Sequence, residues 1–214
     1  MAQYLQKGHN TAICANVVIL FLIINFLSRF FMVKGVNVRE YVKRDCVLFN
    51  SYCKGENVVL SNHYDKCVID YQGVIFHSSE QLFFWILLEG DDVGREKVME
   101  CKTAKECLKK GRYYLNKRGW DKDSEEVQKA ELQALRVAIG EKMRCCKEFR
   151  DVVMKSGDKK IVEYSWWVKE ADYGCKDVDE SLKYDWYRGV VRGQNICGRL
   201  IMEWREKYRR GEVA

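Results

Sequence analysis

The sequence predicts an α+β fold in which a small antiparallel β-sheet from the N-terminal half packs with several helices. Short β-rich runs come first, between Cys46 and Phe76, and helical segments follow them. Strands and helices gathered separately along a chain are typical of α+β proteins rather than of alternating βαβ units. With 214 residues, of which 47% are hydrophobic, the chain can bury one good core, and this predicts one domain.

Residues 12–33 differ from the rest of the chain because they are largely apolar. Polar residues inside the stretch limit it to less than the roughly 20 residues that span a bilayer, and a signal peptide fits poorly because no small-x-small cleavage site follows. Two interpretations stay open: a membrane anchor, or a translated leader with Met32 as the true start. The predicted division is therefore 1–31 as leader or membrane segment and 32–214 as a single domain.

Four β-rich runs are predicted to form strands in the first half of the domain. They are Cys46–Phe49, Val58–Leu60, Cys67–Tyr71 and Val74–Phe76. The dipeptide Gln72-Gly73 separates the last two runs and predicts a tight hairpin turn. Polar residues 61–65 lie between strands and are predicted to form a loop.

The stretch Phe76–Leu88 predicts a helix buried on all sides. Ser78 and Gln81 have the spacing of a capping box, and the residues that follow are apolar on every face of a helix. Glu80 then lies in the first turn, at the edge of a hydrophobic core. A first-turn glutamate is ordinary helix chemistry, so the pattern alone favours a structural over a catalytic role for Glu80.

Further helices and one strand are predicted in the second half. The helices are Val93–Cys101, Thr103–Arg112, Ser124–Cys146, Lys147–Lys155 and a last helix that begins near Asn195. Thr103 and Glu106 form a second capping box. Gly157-Asp158 predicts a turn into a strand at Ile161–Tyr164, and residues 165–192 are irregular, aromatic and charged.

Charge and cysteine content narrow the function only slightly. The net charge of +6 weakly favours anionic partners such as a phosphate-bearing ligand or a nucleic acid. The ten cysteines are scattered without a C-x2-C pair, and the three histidines lie at unrelated positions. These patterns give a zinc site no support, and they favour reduced thiols in the cytoplasm. No cofactor is predicted.

An ordered set of motifs resembles the NADAR superfamily of YbiA-like N-glycosidases. The set spans residues 46–208 and consists of LSNHY at 60–64, the hairpin CVIDYQGVIF, HSSEQ at 77–81, KTAKECLKKGR at 102–112, Trp120, GDKKIVE at 157–163 and GQNICGRLIMEWRE at 193–206. The resemblance implies a compact YbiA-like fold and hydrolysis of an N-glycosidic bond. It implies as substrate a phosphorylated ribosylamine of riboflavin synthesis or an ADP-ribosylated guanine, free or in nucleic acid.

The resemblance also assigns roles to individual residues. Glu80 matches the catalytic carboxylate of the family. The residues implied in substrate binding are Ser61 and Asn62 for ribose hydroxyls, Arg112 for phosphate, Trp120 for stacking on base or sugar, and Asn195 with Gly198 for phosphate at the last helix. Each has a structural alternative, such as turn formation for the Ser-Asn pair, a small satellite core for the tryptophan or an N-cap for the asparagine.

The sequence departs from the family pattern at several positions. Ile86 and Leu87 stand where many members carry Gln-Lys, Tyr173 stands where the pattern has tryptophan, and His63 replaces a phenylalanine. Losing a polar pair on the Glu80 helix leaves a second hypothesis open, a non-catalytic module that binds ADP-ribose or a nucleotide. A basic nucleic-acid-binding protein is a third and weaker hypothesis, because no known nucleic-acid motif supports it.

Overall fold

The structure is a computed structural model, described here for residues 38–165, 173–183 and 185–213. These residues belong to one compact unit that begins at Val38. The predicted segments 1–31 and 12–33 lie outside the described residues, and the boundary at residue 32 stays a prediction. No helix in the described ranges is both long and apolar enough to cross a bilayer.

Seven strands form three small sheets in the described residues. The strands are β1 (Arg39–Val42), β2 (Cys46–Phe49), β3 (Ile69–Tyr71), β4 (Val74–Phe76), β5 (Lys160–Glu163), β6 (Cys175–Asp177) and β7 (Val190–Gly193). One sheet has the order β1-β7-β6 and is antiparallel, β2 pairs with β5 in parallel, and β3 and β4 form an antiparallel hairpin.

Six helices complete the described part of the chain. They are α1 (Ser79–Leu87), α2 (Asp92–Met99), α3 (Ala104–Lys117), α4 (Glu125–Cys145), α5 (Lys147–Lys155) and α6 (Ile196–Arg209). The predicted α+β class is confirmed. The sheets take strands from both halves of the chain, because β5, β6 and β7 pair with strands from the first half or with one another.

One predicted strand is wrong. Val58–Leu60 belongs to a 3-10 helix that spans Glu56–Leu60, in which the Ser61 N–H donates to the Val58 carbonyl at 3.1 Å. Val59 and Leu60 are buried, so the short apolar run marks burial correctly. A run of three apolar residues does not distinguish an extended segment from a helical one.

The predicted hairpin turn between β3 and β4 is confirmed. Tyr71 pairs with Val74, which leaves Gln72 and Gly73 as a two-residue loop. Both have positive φ, 54° and 78°, as the type I′ turn requires. The Asp70 side chain also accepts the Gly73 N–H at 3.1 Å.

Helix α1 packs against α2, α3 and α4 and is the centre of the helical part. Leu82 and Phe84 are almost fully buried. Phe83, Trp85 and Ile86 are only half-buried, so the prediction of a helix buried on all sides is wrong for these three residues. Phe84 lies directly against Gly111 of α3, where an added Cβ would be 2.1 Å from the phenylalanine Cδ1. Helix α3 can therefore approach α1 this closely only with glycine at that position.

Cys67 and Cys146 form a disulfide, with a Cα–Cα distance of 5.5 Å. The prediction that all thiols are reduced is wrong for this pair. The fold brings the segment before β3 against the junction of α4 and α5, and a separation of 79 residues hides the pairing from local sequence patterns. Reduced thiols were the argument for a cytoplasmic location, and the disulfide removes that argument.

A buried charge joins the start of the domain to its last third. Lys43 is 1% exposed, forms an ion pair with Asp177 and donates to the carbonyl of Asp185 at 2.5 Å. The hydroxyl of Tyr164 donates to Asp177 Oδ2 at 2.5 Å. Asp177 and Asp185 are thus tied to the segment between β1 and β2, which carries Lys43.

Candidate functional site

The N-terminus of α1 fixes Glu80 in place. Ser78 Oγ accepts the Gln81 N–H at 3.2 Å, and Gln81 Oε1 accepts the N–H of His77 at 3.0 Å. The predicted capping box is present, with its return bond shifted by one residue. The Glu80 N–H donates to the Asn62 carbonyl at 3.2 Å, so the loop 61–65 lies directly against the helix start.

The side chain of Glu80 faces His63. Their closest atoms, Oε1 and Nε2, are 3.7 Å apart, and Glu80 is only 8% exposed. The interaction with Glu80 raises the pKa of His63, while burial of the imidazole works in the opposite direction. The histidine that replaces the family's phenylalanine is therefore the charge partner of the candidate carboxylate.

A second carboxyl, Glu163, lies near this pair at the end of β5. Burial, and next the charge of Glu80, raise the pKa of Glu163 to about 7, and His63 partly opposes the shift. The sequence analysis quoted this residue within GDKKIVE but assigned it no role. The signal available in the sequence was a carboxylate directly after two β-branched apolar residues, Ile161 and Val162; the structure buries both fully.

Asn195 and Gly198 brace the end of β5. Asn195 has φ 50° and is fully buried; its Oδ1 accepts the Glu163 N–H at 3.0 Å and its Nδ2 donates to the Ile161 carbonyl at 2.9 Å. A Cβ on Gly198 would lie 2.2 Å from that same carbonyl. The side chain of Asn195 does not cap α6. In this structure both residues hold the strand that carries Glu163, and their predicted contacts with substrate stay a prediction.

Ser61 and Asn62 lie between Glu80 and a buried lysine. Lys142 of α4 is fully buried and donates to the Ser61 carbonyl at 2.6 Å, and burial lowers its pKa to about 7. Asn62 Oδ1 accepts the Ser79 hydroxyl at 3.1 Å, and its Nδ2 is 3.8 Å from the sulfur of Cys197. Ser61 is 2% exposed, whereas Asn62 is partly exposed and lies beside the carboxylates.

Trp120 is linked to Tyr173 by hydrogen bonds to a shared carboxylate, Glu131. Its Nε1 donates to Glu131 Oε1 at 3.1 Å, and Glu131 Oε2 accepts the Tyr173 hydroxyl at 2.6 Å. The indole also packs against the apolar cluster around Phe84, which is the predicted structural alternative. Tyr173, which stands in place of the family's tryptophan, precedes Gly174, where an added Cβ would be 3.5 Å from Cγ of Glu163.

Arg112 is the predicted site residue that these contacts leave aside. It lies on the exposed face of α3, one residue past the buried Gly111. None of the hydrogen bonds or ion pairs described above involves it. A contact with a phosphate group at the site stays a prediction.

The residues on α1 that replace Gln-Lys belong to the core. Leu87 is 6% exposed, and Ile86 packs against the same apolar cluster. Glu80 is the ionisable side chain of α1, and His63 and Glu163 interact with it from other segments. Among the described residues, no group of histidine, cysteine and acidic side chains is arranged to hold a metal ion.

The fold resembles a solved structure of known architecture. The NMR structure of the E. coli protein YbiA matches with a TM-score of 0.57 and 20% sequence identity, over 84% of this chain and 94% of that one. No protein-family model and no curated protein sequence matches this chain. The likeness confirms the YbiA-like α+β fold that the motifs implied.

Proposed function

We propose that this protein hydrolyses a ribosyl N-glycosidic bond and that Glu80 is its catalytic carboxylate. The observation that carries the proposal is the placement of Glu80 at the start of an apolar helix, 3.7 Å from His63 and beside a second carboxyl. The YbiA-like fold and the motif set that resembles YbiA-like N-glycosidases support the same reaction class. The proposed substrates are a phosphorylated ribosylamine of riboflavin synthesis or an ADP-ribosylated guanine, free or in nucleic acid, and the proposed location is the cytoplasm.

The chemistry needs a fixed negative charge close to the anomeric carbon. Cleavage of a ribosyl C–N bond passes through a transition state with oxocarbenium character, which a carboxylate stabilises. The same carboxylate can accept a proton from the attacking water. Glu80 is suited to this role because the hydrogen bond from its N–H to the Asn62 carbonyl and the cap at Ser78 fix its position on a rigid element.

The alternative is a non-catalytic module that binds ADP-ribose or a nucleotide. The observation that favours it is the loss of the polar pair on α1, since Ile86 and Leu87 pack in the apolar core. Such a module would keep affinity for ADP-ribose while releasing no base from any of the proposed substrates.

The test is turnover of wild type and Glu80→Gln with ADP-ribosylated guanosine and with the phosphorylated ribosylamine. Glutamine keeps the size of the side chain and removes its charge. We expect turnover to fall by about 10²-fold or more, the range of a positioned acid or base, with a much smaller change in substrate affinity. Glu106→Gln is the matched control, because Glu106 lies in the first turn of α3 and hydrogen bonds to the Lys102 N–H.

The outcomes separate the two functions. Wild-type turnover retained in Glu80→Gln contradicts the catalytic assignment. Wild type that binds ADP-ribose in calorimetry but cleaves neither substrate is the binding module. Loss of turnover equal in Glu80→Gln and Glu106→Gln indicates a general effect of first-turn glutamates on stability.

A further inference from the structure

The second carboxyl at the site has surroundings different from those of the first. Glu163 ends β5, where Ile161 and Val162 are fully buried, and its backbone N–H donates to Asn195 Oδ1 at 3.0 Å. The segment that follows Tyr173 passes close by, with a distance of 2.9 Å from an added Cβ on Gly174 to the Glu163 carbonyl. Glu163 is thus held by the Asn195 side chain and lies against Gly174. Glu80 is connected to the same helix start, that of α6, because Asn62 accepts the Glu80 N–H at 3.2 Å and its Nδ2 lies 3.8 Å from the sulfur of Cys197.

The other ionisable groups around Glu163 are neutral or belong to the Glu80 pair. On β6, burial raises the pKa of Cys175 to about 12, and on α6, burial raises the pKa of Cys197 well above its ordinary value. Both thiols therefore carry no charge at neutral pH. Among the described residues, the charges that act on Glu163 come from Glu80, which disfavours a second negative charge, and from His63, which favours it.

We propose, on the premise that the protein is an N-glycosidase, that Glu163 is the general acid that protonates the leaving nitrogen while Glu80 carries the negative charge. Two carboxyls whose environments differ in this way are the usual arrangement for glycoside hydrolysis, in which one group is a proton donor and the other a base or charge stabiliser. The two environments differ because Glu80 lies 3.7 Å from the His63 imidazole, whereas burial and the charge of Glu80 both disfavour ionisation of Glu163.

The proton balance of the step closes without a cofactor. The C1′–N bond breaks with its electron pair on nitrogen, and that nitrogen takes the proton from Glu163. Water adds its oxygen to C1′, and the proton that water loses goes to Glu80. Transfer of this proton through solvent from Glu80 to Glu163 restores both groups, and the products are ribose with a free anomeric hydroxyl and the protonated leaving group.

The experiment compares wild type, Glu163→Gln and Glu163→Asp on whichever substrate wild type cleaves, with folding checked by circular dichroism. We expect wild-type kcat/KM to fall as pH rises through about 7, where Glu163 loses its proton. Glu163→Gln should lose this alkaline limb. Its turnover at pH 6 should be lower than that of wild type by about 10²-fold or more. Glu163→Asp, which keeps a carboxyl group, should retain the limb. Glu56→Gln is the control, since Glu56 pairs with Lys155 on the surface.

A second substrate distinguishes a proton donor from a structural residue. In the phosphorylated riboside of nicotinamide, the ring nitrogen bound to C1′ is already positively charged. Nicotinamide therefore leaves as a neutral molecule without taking a proton. Glu163→Gln should therefore lose at least tenfold less turnover on this substrate than on one with an amine or purine leaving group. A structural role predicts equal losses on both.

Several results would overturn the assignment. They are turnover in Glu163→Gln within threefold of wild type, an alkaline limb that persists in the variant, or equal losses on the two leaving groups. Where Glu163→Gln does not fold or the nicotinamide riboside is not cleaved, the test is the pH profile of wild-type kcat/KM. A profile that stays flat between pH 6 and 8 overturns the assignment of Glu163 as general acid. Wild type inert on every substrate removes the proposed function and this inference together, whereas an active Glu80→Gln beside an inactive Glu163→Gln removes only the role of Glu80.

Discussion

Replacing Glu163 by glutamine should make the free energy of unfolding less dependent on pH. The pKa of this carboxyl is raised from 4.5 to about 7 in the folded protein, chiefly by burial. Between these two values the folded state binds more protons than the unfolded state, so stability decreases as pH rises. The decrease begins near pH 4.5 and is complete above pH 7. A shift from 4.5 to about 7 corresponds to about 3 kcal/mol.

Urea unfolding of wild type and Glu163→Gln at pH 4.5, 6 and 8 measures this effect. We expect the free energy of unfolding of the variant, relative to that of wild type, to be about 3 kcal/mol higher at the highest pH than at the lowest. His63 also loses stabilisation as pH rises through its raised pKa, but it is present in both proteins and largely cancels in the difference. Parallel pH curves for wild type and variant would show that Glu163 is ionised at neutral pH in the folded protein. That result would refute both this reasoning and its role as a proton donor.

Three further predictions concern other parts of the molecule. Gly111→Ala should lower the free energy of unfolding by roughly 1–3 kcal/mol in thermal or urea melts, because its Cβ would overlap Phe84; an unchanged melting temperature contradicts this packing. Cys67→Ser or Cys146→Ser should each cost roughly 2–4 kcal/mol, and reductant should destabilise wild type but have little further effect on either variant. Arg112→Ala should leave stability within about 0.5 kcal/mol of wild type and raise KM for a phosphorylated substrate, with added salt reducing the difference; an unchanged KM at low salt removes the phosphate contact.

Local signals in the sequence were enough for the elements that depend on neighbouring residues. Thr103 caps α3 by accepting the Glu106 N–H at 3.2 Å, as its capping box predicted. The Gln72-Gly73 turn is present because both positions tolerate positive φ. Helix α5 has the predicted bounds, Lys147–Lys155. Each of these features is decided within a few residues, which a single sequence contains.

The features that sequence reasoning missed depend on contacts between distant segments. β1 was not predicted, and neither were β6 and β7, which fall where residues 165–192 were expected to be irregular. The pairing of β1 with β7 joins residues 39–42 to residues 190–193. His63 and Glu163 interact with Glu80, and no spacing in the chain encodes that proximity. Asn195 looked like an N-cap from its position, yet its amide is used by β5.

The buried ion pair of Lys43 has a consequence for how the chain folds during synthesis. Lys43 pairs with Asp177 and donates to the Asp185 carbonyl, so it has no native counter-charge until residue 177 has left the ribosome. Contacts of such large sequence separation form slowly because closing the intervening loop costs entropy. Lys43, near the start of the domain, therefore stays without its counter-charge until most of the chain has been synthesised. A chain interrupted before this stretch would leave the amine either in water or buried without its counter-charge, and we expect such fragments to depend on chaperones or to be degraded.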